Sequence, residues 1–387
     1  MKQKYKLETI TPVHIGSGET LNHIDGYYDN SRWYHIDLDK VLAHPNADIN
    51  ALTSEMSQRN FRWQNHLHQR NMNTADLSTY SILCAQNPET TDIREAIKSV
   101  GNRPYIPGSS IKGALRTAFL SHLIDENDTL FQNNLKYLVN LSEQHARRNP
   151  RKETPANKIE RDAFGKDPNQ DILRALQVSD TEPIDSNSLE IGVAWTVTLD
   201  QNNNLVQKID NGQEYKNFVQ QIQPKQTLTF NLKIDELLFR EREKTVLDFN
   251  EQQQKMLTDI AEVCRSEANA LMVSEQDFFD YYKFPNIPEV YDALIVQNTT
   301  LPEGAFFLQI GWGTGYHANT VTASFTNAAE APEELLLNLQ KRFRLGESRA
   351  QRGHYDEREF PKTRKIIYRE QNPIAPLGWV KISPIEN

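Results

Sequence analysis

Apolar and polar residues alternate over residues 4–10 and again over 33–37, which predicts two strands near the start of the chain. The alternation returns over 188–199 and 226–234, where Val, Ile, Thr, Leu and Phe are frequent, and less regularly over 301–311 and 376–382. Helical spacing is clearest after Ser110. Ile111, Ala114, Leu115, Ala118, Phe119 and Leu123 fall on one face, with Ser109 or Ser110 placed to cap the start. Lys112 and Arg116, four residues apart, share the other face. Residues 250–282 predict a long amphipathic helical pair, 332–343 a short helix and 90–99 another. Residues 48–75 read as helical but poorly periodic. Residues 142–170 are polar, with prolines at 150, 155 and 168, and predict a long insertion or mobile loop. This irregular mixture points to an α+β protein in two related halves, 1–185 and 186–387.

Charge changes the picture more than composition does. Over 387 residues the chain carries 43 Lys and Arg against 52 Asp and Glu, a net charge of −9 that argues against nucleic acid as a partner. The distribution reverses that argument. Residues 94–116, 147–166 and 341–369 carry +4, +4 and +6, which leaves the rest of the chain at −23. A phosphate-binding surface needs local rather than global positive charge. The competing reading is that these basic runs only keep long loops solvated. Cys84 and Cys264 lie too far apart to frame a disulfide scaffold or a cysteine metal site, which fits a reducing cytoplasm. No apolar run is long enough to span a bilayer.

Three motifs carry candidate chemistry. Gly108, Ser109 and Ser110 open the clearest helix, where free N–H groups and the dipole favour an anion, and Lys112 and Arg116 add two cations one turn apart. The alternative is an ordinary capped helix with solvated cations. Gly311, Gly313 and Gly315 follow a strand, but Tyr316 stands where a dinucleotide fingerprint needs its third glycine, so that fold is rejected. The loop is then a tight turn or a place where backbone approaches a ligand. No spacing among the ten histidines and two cysteines marks a metal site, and no cofactor is expected. Asp25, just before Gly26, is a candidate catalytic carboxylate, with a turn residue as the alternative.

The combination is more specific than its parts. The segment TPVHIGSGE at 11–19, which holds His14, Gly16 and Ser17, together with YIPGSSIKGALR at 105–116, resembles the RAMP superfamily of CRISPR proteins. LQVSD at 176–180, GWGTGY at 311–316, FPKTR at 360–364 and PLGWV at 376–380 resemble the fifth-subunit family of the type III-A (Csm) effector complex. The resemblance implies ferredoxin-like (RRM-like) units with helical and loop insertions. It implies a non-catalytic, cytoplasmic RNA-binding subunit of antiviral defence. Such a subunit caps the 3′ part of the crRNA, serves its 3′-end maturation and stacks on the repeated backbone subunit. Its partners would be crRNA, target RNA, other effector subunits and host trimming nucleases. RNA contacts are then expected from His14, Gly16, Ser17, Gly108, Ser109, Ser110, Lys112, Arg116, Gly311, Gly313, Gly315 and Tyr316, and more weakly from Arg147, Arg148, Arg151, Lys362 and Arg364. Tyr316 and His317 are candidates to stack on a base, and the 142–170 insertion to wedge between nucleotides. Two alternatives follow from the same resemblance: the corresponding subunit of a type III-B complex, or an RNA-cleaving subunit using Asp25.

Overall fold

The computed structural model describes residues 2–58, 61–89, 91–143, 155–347, 353–355 and 359–385. Two sheets organise them. The first has the order Phe306–Gln309, Trp379–Pro384, Lys2–Thr9, Thr227–Ile234, Leu176–Val178, with every neighbouring pair antiparallel. Two long helices, Gly108–Glu126 and Ile260–Tyr281, pack together against it. Taken in chain order, Lys2–Thr9, the first helix, Leu176–Val178, Thr227–Ile234, the second helix and Trp379–Pro384 form a β-α-β-β-α-β unit. Its spatial strand order is fourth, first, third, second, as a ferredoxin-like unit requires. Phe306–Gln309 is an extra strand at the outer edge.

Burial explains why these segments adopt these forms. On Thr227–Ile234 the alternate residues Leu228, Phe230 and Leu232 are buried. On Ile260–Tyr281 the buried residues Ile260, Val263, Cys264, Ala268, Met272, Glu275 and Phe279 recur at helical spacing. Apart from Glu275, they share one core with Ile111, Leu115, Phe119 and Leu123 of the first helix.

The second sheet runs Gly16–Leu21, Ile93–Ala96, Lys216–Ile222, Leu189–Leu199, Ser78–Cys84, Arg32–Ile36, Gly26–Asp29. Its spine is Leu189–Leu199, eleven residues long, which also pairs with Leu205–Gln207 and with Thr363–Arg369. Residues 10–14 join the two sheets. The Ile10 N–H donates to the Trp379 carbonyl in the first, and Val13 bridges Ile222 in the second. Each sheet takes strands from both sides of residue 185, so the segments 1–185 and 186–387 share their sheets and one main core.

Three expectations change. Residues 90–99 hold a strand, Ile93–Ala96, and the start of a small hairpin, Lys98–Ser99 with Arg103–Pro104, because Ile93 pairs with both Leu21 and Phe218. The weak periodicity of 48–75 reflects three short helices, Ile49–Met56, Trp63–Gln69 and Thr74–Leu77, around a small core of their own with Val41, Leu52, Trp63 and Leu67. Within 142–170, Pro155–Phe164 is a helix whose Ile159, Ala163 and Phe164 are buried. The expected contacts Arg147, Arg148 and Arg151 lie outside the described residues.

Candidate nucleic-acid interface

The helix that looked like an anion site already holds an anion of its own. It starts at Gly108, with Pro107 in the cap position and no side-chain cap from Ser109 or Ser110. The Gly108 N–H donates to Asp180 Oδ1 at 2.8 Å. A carboxylate from the LQVSD segment therefore sits where a phosphate was expected. Any Cβ at residue 108 would run into the Val178 carbonyl, so the glycine serves close packing. Lys112 Nζ donates to the carbonyls of Leu173 and Leu176 at 2.8 and 2.7 Å. Arg116 pairs with Glu160 at 2.6 Å and with Asp171 at 2.9 Å, and its guanidinium lies 4.5 Å from the Phe164 ring centroid. Lys112 and Arg116 are thus clamps between the helix, the strand at Leu176 and the helix Pro155–Phe164, and the reading of them as solvated cations does not hold.

Two other expected contacts have similar internal roles. Arg364 is 6% exposed. It pairs with buried Glu275 at 2.7 Å and lies 4.1 Å over Phe278, fastening the second sheet to the long helix. The Tyr316 hydroxyl is 2.9 Å from Thr322 Oγ1, and its ring meets Phe360 edge-on. Lys362 lies half-buried just before the strand Thr363–Arg369. Burial, with Arg364 nearby, lowers the pKa of His317. Asp25 closes the turn after Gly16–Leu21, a strand that begins inside the 11–19 motif. The Asn22 N–H donates to Asp25 Oδ2 at 2.7 Å, so its turn role is the one the geometry displays.

The other glycine loops do converge. The Trp312 N–H donates to the His14 carbonyl at 2.9 Å, which places 311–315 against 14–18. Gly311, at φ 86°, leaves no room for a Cβ beside His14 and Ile15, and Gly313 leaves none beside Leu377. Gly18 and Gly315, also at positive φ, face open space. Ser17 Oγ donates to Glu95 Oε2 at 3.0 Å beside them. His14 is buried, with Nδ1 2.6 Å from the Gln220 carbonyl and its ring edge-on to Trp312.

Around Trp312 the sheet assembles cations that the sequence motifs did not single out. Arg94 lies 5.0 Å and Lys365 5.1 Å from the indole centroid. Lys365 pairs in register with Thr196 on the spine strand and donates to its Oγ1 at 2.6 Å. The Lys208 N–H donates to the Thr196 carbonyl, and its ammonium, seated over the Tyr215 ring, is near enough to act on the charge of Lys365. Burial, then Arg94 and Lys208, push the Lys365 ammonium down to about 8. The charges acting on it are both positive, so an arriving anion is favoured. Arg94 and Lys365 do lie within the basic stretches 94–116 and 341–369, the one sequence signal for them. Among the described residues no group of three or more His, Cys, Asp or Glu is arranged to hold a metal ion, and no helix is long and apolar enough to cross a membrane.

The chain is similar to named proteins of CRISPR systems. One relative is the CRISPR system Cms protein Csm5 of Methanocaldococcus jannaschii, 23% identical across 98% of this chain and 88% of its own length. Its counterpart from Streptococcus thermophilus is 24% identical over 51% of this chain and 57% of that protein. Two solved structures share the fold. A chain of a Csm–crRNA–target RNA ternary complex of a type III-A CRISPR–Cas system aligns with a TM-score of 0.71 at 22% identity, covering 99% of this chain and 100% of that one. Csm5 of T. onnurineus aligns with a TM-score of 0.66 at 20% identity, covering 97% and 99%. The RAMP superfamily profile matches residues 6–316, which takes in the two converging loops, the clamped helix and most of both sheets. With four-fifths of its length inside that match, the chain belongs to the RAMP superfamily.

Proposed function

We propose that this chain is the Csm5-type subunit of a type III-A CRISPR effector complex, and that it binds and caps the 3′ part of the crRNA. The observation that carries the reading is the pair Arg94 and Lys365 on Trp312, with Lys208 close enough to act on Lys365, set where two glycine loops expose backbone. Such cations hold phosphates and carry no information about bases, which suits a guide of any sequence. Gly18 and Gly315 supply the open backbone, and Ser17 lies at the rim. The chain works by binding rather than by cutting. Its Asp25 carboxylate accepts a hydrogen bond within its own turn. Within the complex, which acts in the cytoplasm, its neighbours are the repeated backbone subunit, the target RNA and the nucleases that trim the crRNA 3′ end.

The test is to purify the tagged chain with its complex and sequence the RNA that accompanies it. Guides with a shared repeat-derived 5′ tag, varied spacers and ragged 3′ ends are expected. Absence of CRISPR-derived RNA would overturn the reading. In the same preparation Asp25→Ala is expected to leave every target cut in place, and loss of one cut would make the chain a nuclease.

A further inference from the structure

We infer that His14 is a sensor of the ribose 2′-hydroxyl, and so the residue that makes this surface prefer RNA to single-stranded DNA. This inference rests on the proposal that the surface binds a nucleic-acid backbone. His14 is 2% exposed, and its Nδ1 faces the Gln220 carbonyl at 2.6 Å. A carbonyl only accepts, so Nδ1 carries the proton and Nε2 is left with a bare lone pair. Burial, and the neighbouring Arg94, lower the pKa of His14, which keeps the ring neutral.

Nε2 makes no hydrogen bond among the described residues, yet it is not one of the sealed polar atoms left without a partner. What covers it is Gly16. A Cβ at residue 16 would stand 3.3 Å from Nε2, whereas the glycine leaves the approach open from the exposed strand end. A fixed acceptor in this place cannot hold a phosphate oxygen, because two lone pairs repel. It requires a donor, held beside the cations that seat the phosphates. On a nucleic-acid backbone the donor next to the phosphate is the 2′-hydroxyl, the group that separates RNA from DNA. Gly16 and His14, which belong to one sequence motif, then have one joint role: the histidine accepts, and the glycine keeps the way clear.

The experiment measures binding of the full-length chain to mixed-sequence single strands at fixed salt, one all-ribose and one all-deoxyribose. Wild type is expected to prefer ribose by roughly three- to tenfold, the value of one net hydrogen bond. His14→Phe keeps a ring and loses the acceptor, and Gly16→Ala puts a methyl over Nε2. Each is expected to bring the preference close to one while the circular dichroism spectrum and deoxyribose binding stay as in wild type. Lys365→Met is expected to weaken both strands alike and leave the ratio unchanged.

A scan with single 2′-O-methyl nucleotides on wild-type protein needs no variant to fold. One position is expected to lose the same factor as the deoxy change, whatever its base. The inference is overturned if folded His14→Phe keeps the full ribose preference, if every 2′-O-methyl position is tolerated, or if the loss follows base identity. Should wild type bind neither strand, the proposed nucleic-acid surface itself is wrong, and that result is distinct from a lost preference.

Discussion

Whether a cation is available to RNA depends on what already surrounds it, and Lys365 and Lys112 show the two outcomes. Lys365 is largely buried and sits among like charges, and burial first, then Arg94 and Lys208, hold its ammonium near 8. Its folded value lies below that of an exposed lysine, so the RNA-free fold resists its charge. The resulting penalty is full below pH 8 and fades as pH rises from there to the ordinary lysine range. A bound phosphate favours the charged form. RNA affinity is therefore expected to fall as pH rises through about 8, and Lys365→Arg is expected to remove that fall, as read by binding titrations from pH 7 to 9. Lys365→Met is expected to reduce the slope of log affinity against log salt by roughly 0.7, the value of one phosphate contact on a single strand. Lys112 holds two backbone carbonyls instead. Lys112→Met is expected to cost about 1–3 kcal/mol in stability, because buried acceptors lose their donor, and to leave the salt slope unchanged. Thermal melting and the same titrations separate the two residues.

At the scale of elements, the long helices are held by charge pairs as well as by apolar faces. Arg364 on the strand Thr363–Arg369 and Glu275 on Ile260–Tyr281 form a buried pair at 2.7 Å. Removing one partner strands the other charge away from water. Glu275→Gln is expected to cost about 3–5 kcal/mol in denaturant unfolding, and replacing both partners by apolar residues is expected to recover most of it. Helix periodicity made both long helices legible, because their buried residues recur at three- and four-residue intervals. The strand Ile93–Ala96 was not legible. It is four residues long and is fixed by partners at Leu21 and Phe218, far from it in sequence. The helix Pro155–Phe164 was hidden for a related reason. Only Ile159, Ala163 and Phe164 mark its buried side, and prolines flank the segment.

At the scale of the molecule, the strands Lys2–Thr9 and Trp379–Pro384 are interior strands of a sheet and not edges. Lys2–Thr9 lies at the centre of the five-stranded sheet, and Trp379–Pro384 lies between it and Phe306–Gln309. Deleting residues 377–387 is expected to abolish cooperative unfolding rather than trim an end, since it removes Trp379, Val380 and Ile382 from the core and opens the sheet. Circular dichroism melting of the truncated chain checks this. A long insertion in an exposed loop, such as 201–204, is expected to be tolerated by comparison, because no core residue lies there.

The sequence by itself determined the α+β class, the main strands and helices, and the superfamily, because side-chain period and glycine loops are local properties of the chain. It also located the loop at 311–316 and the glycine motif at 11–19, whose second half is strand. The tertiary structure decided which charges remain available. Lys112 and Arg116 look alike to Arg94 and Lys365 in sequence. Yet Arg116 meets Glu160 and Asp171, 44 and 55 positions away, and the helix start meets Asp180, 72 positions away. Arg94 and Lys365 are carried by different strands to opposite sides of the spine strand, onto one indole. Coulomb interactions are set by distance in space, and only the folded sheet brings those distances down to a few ångströms.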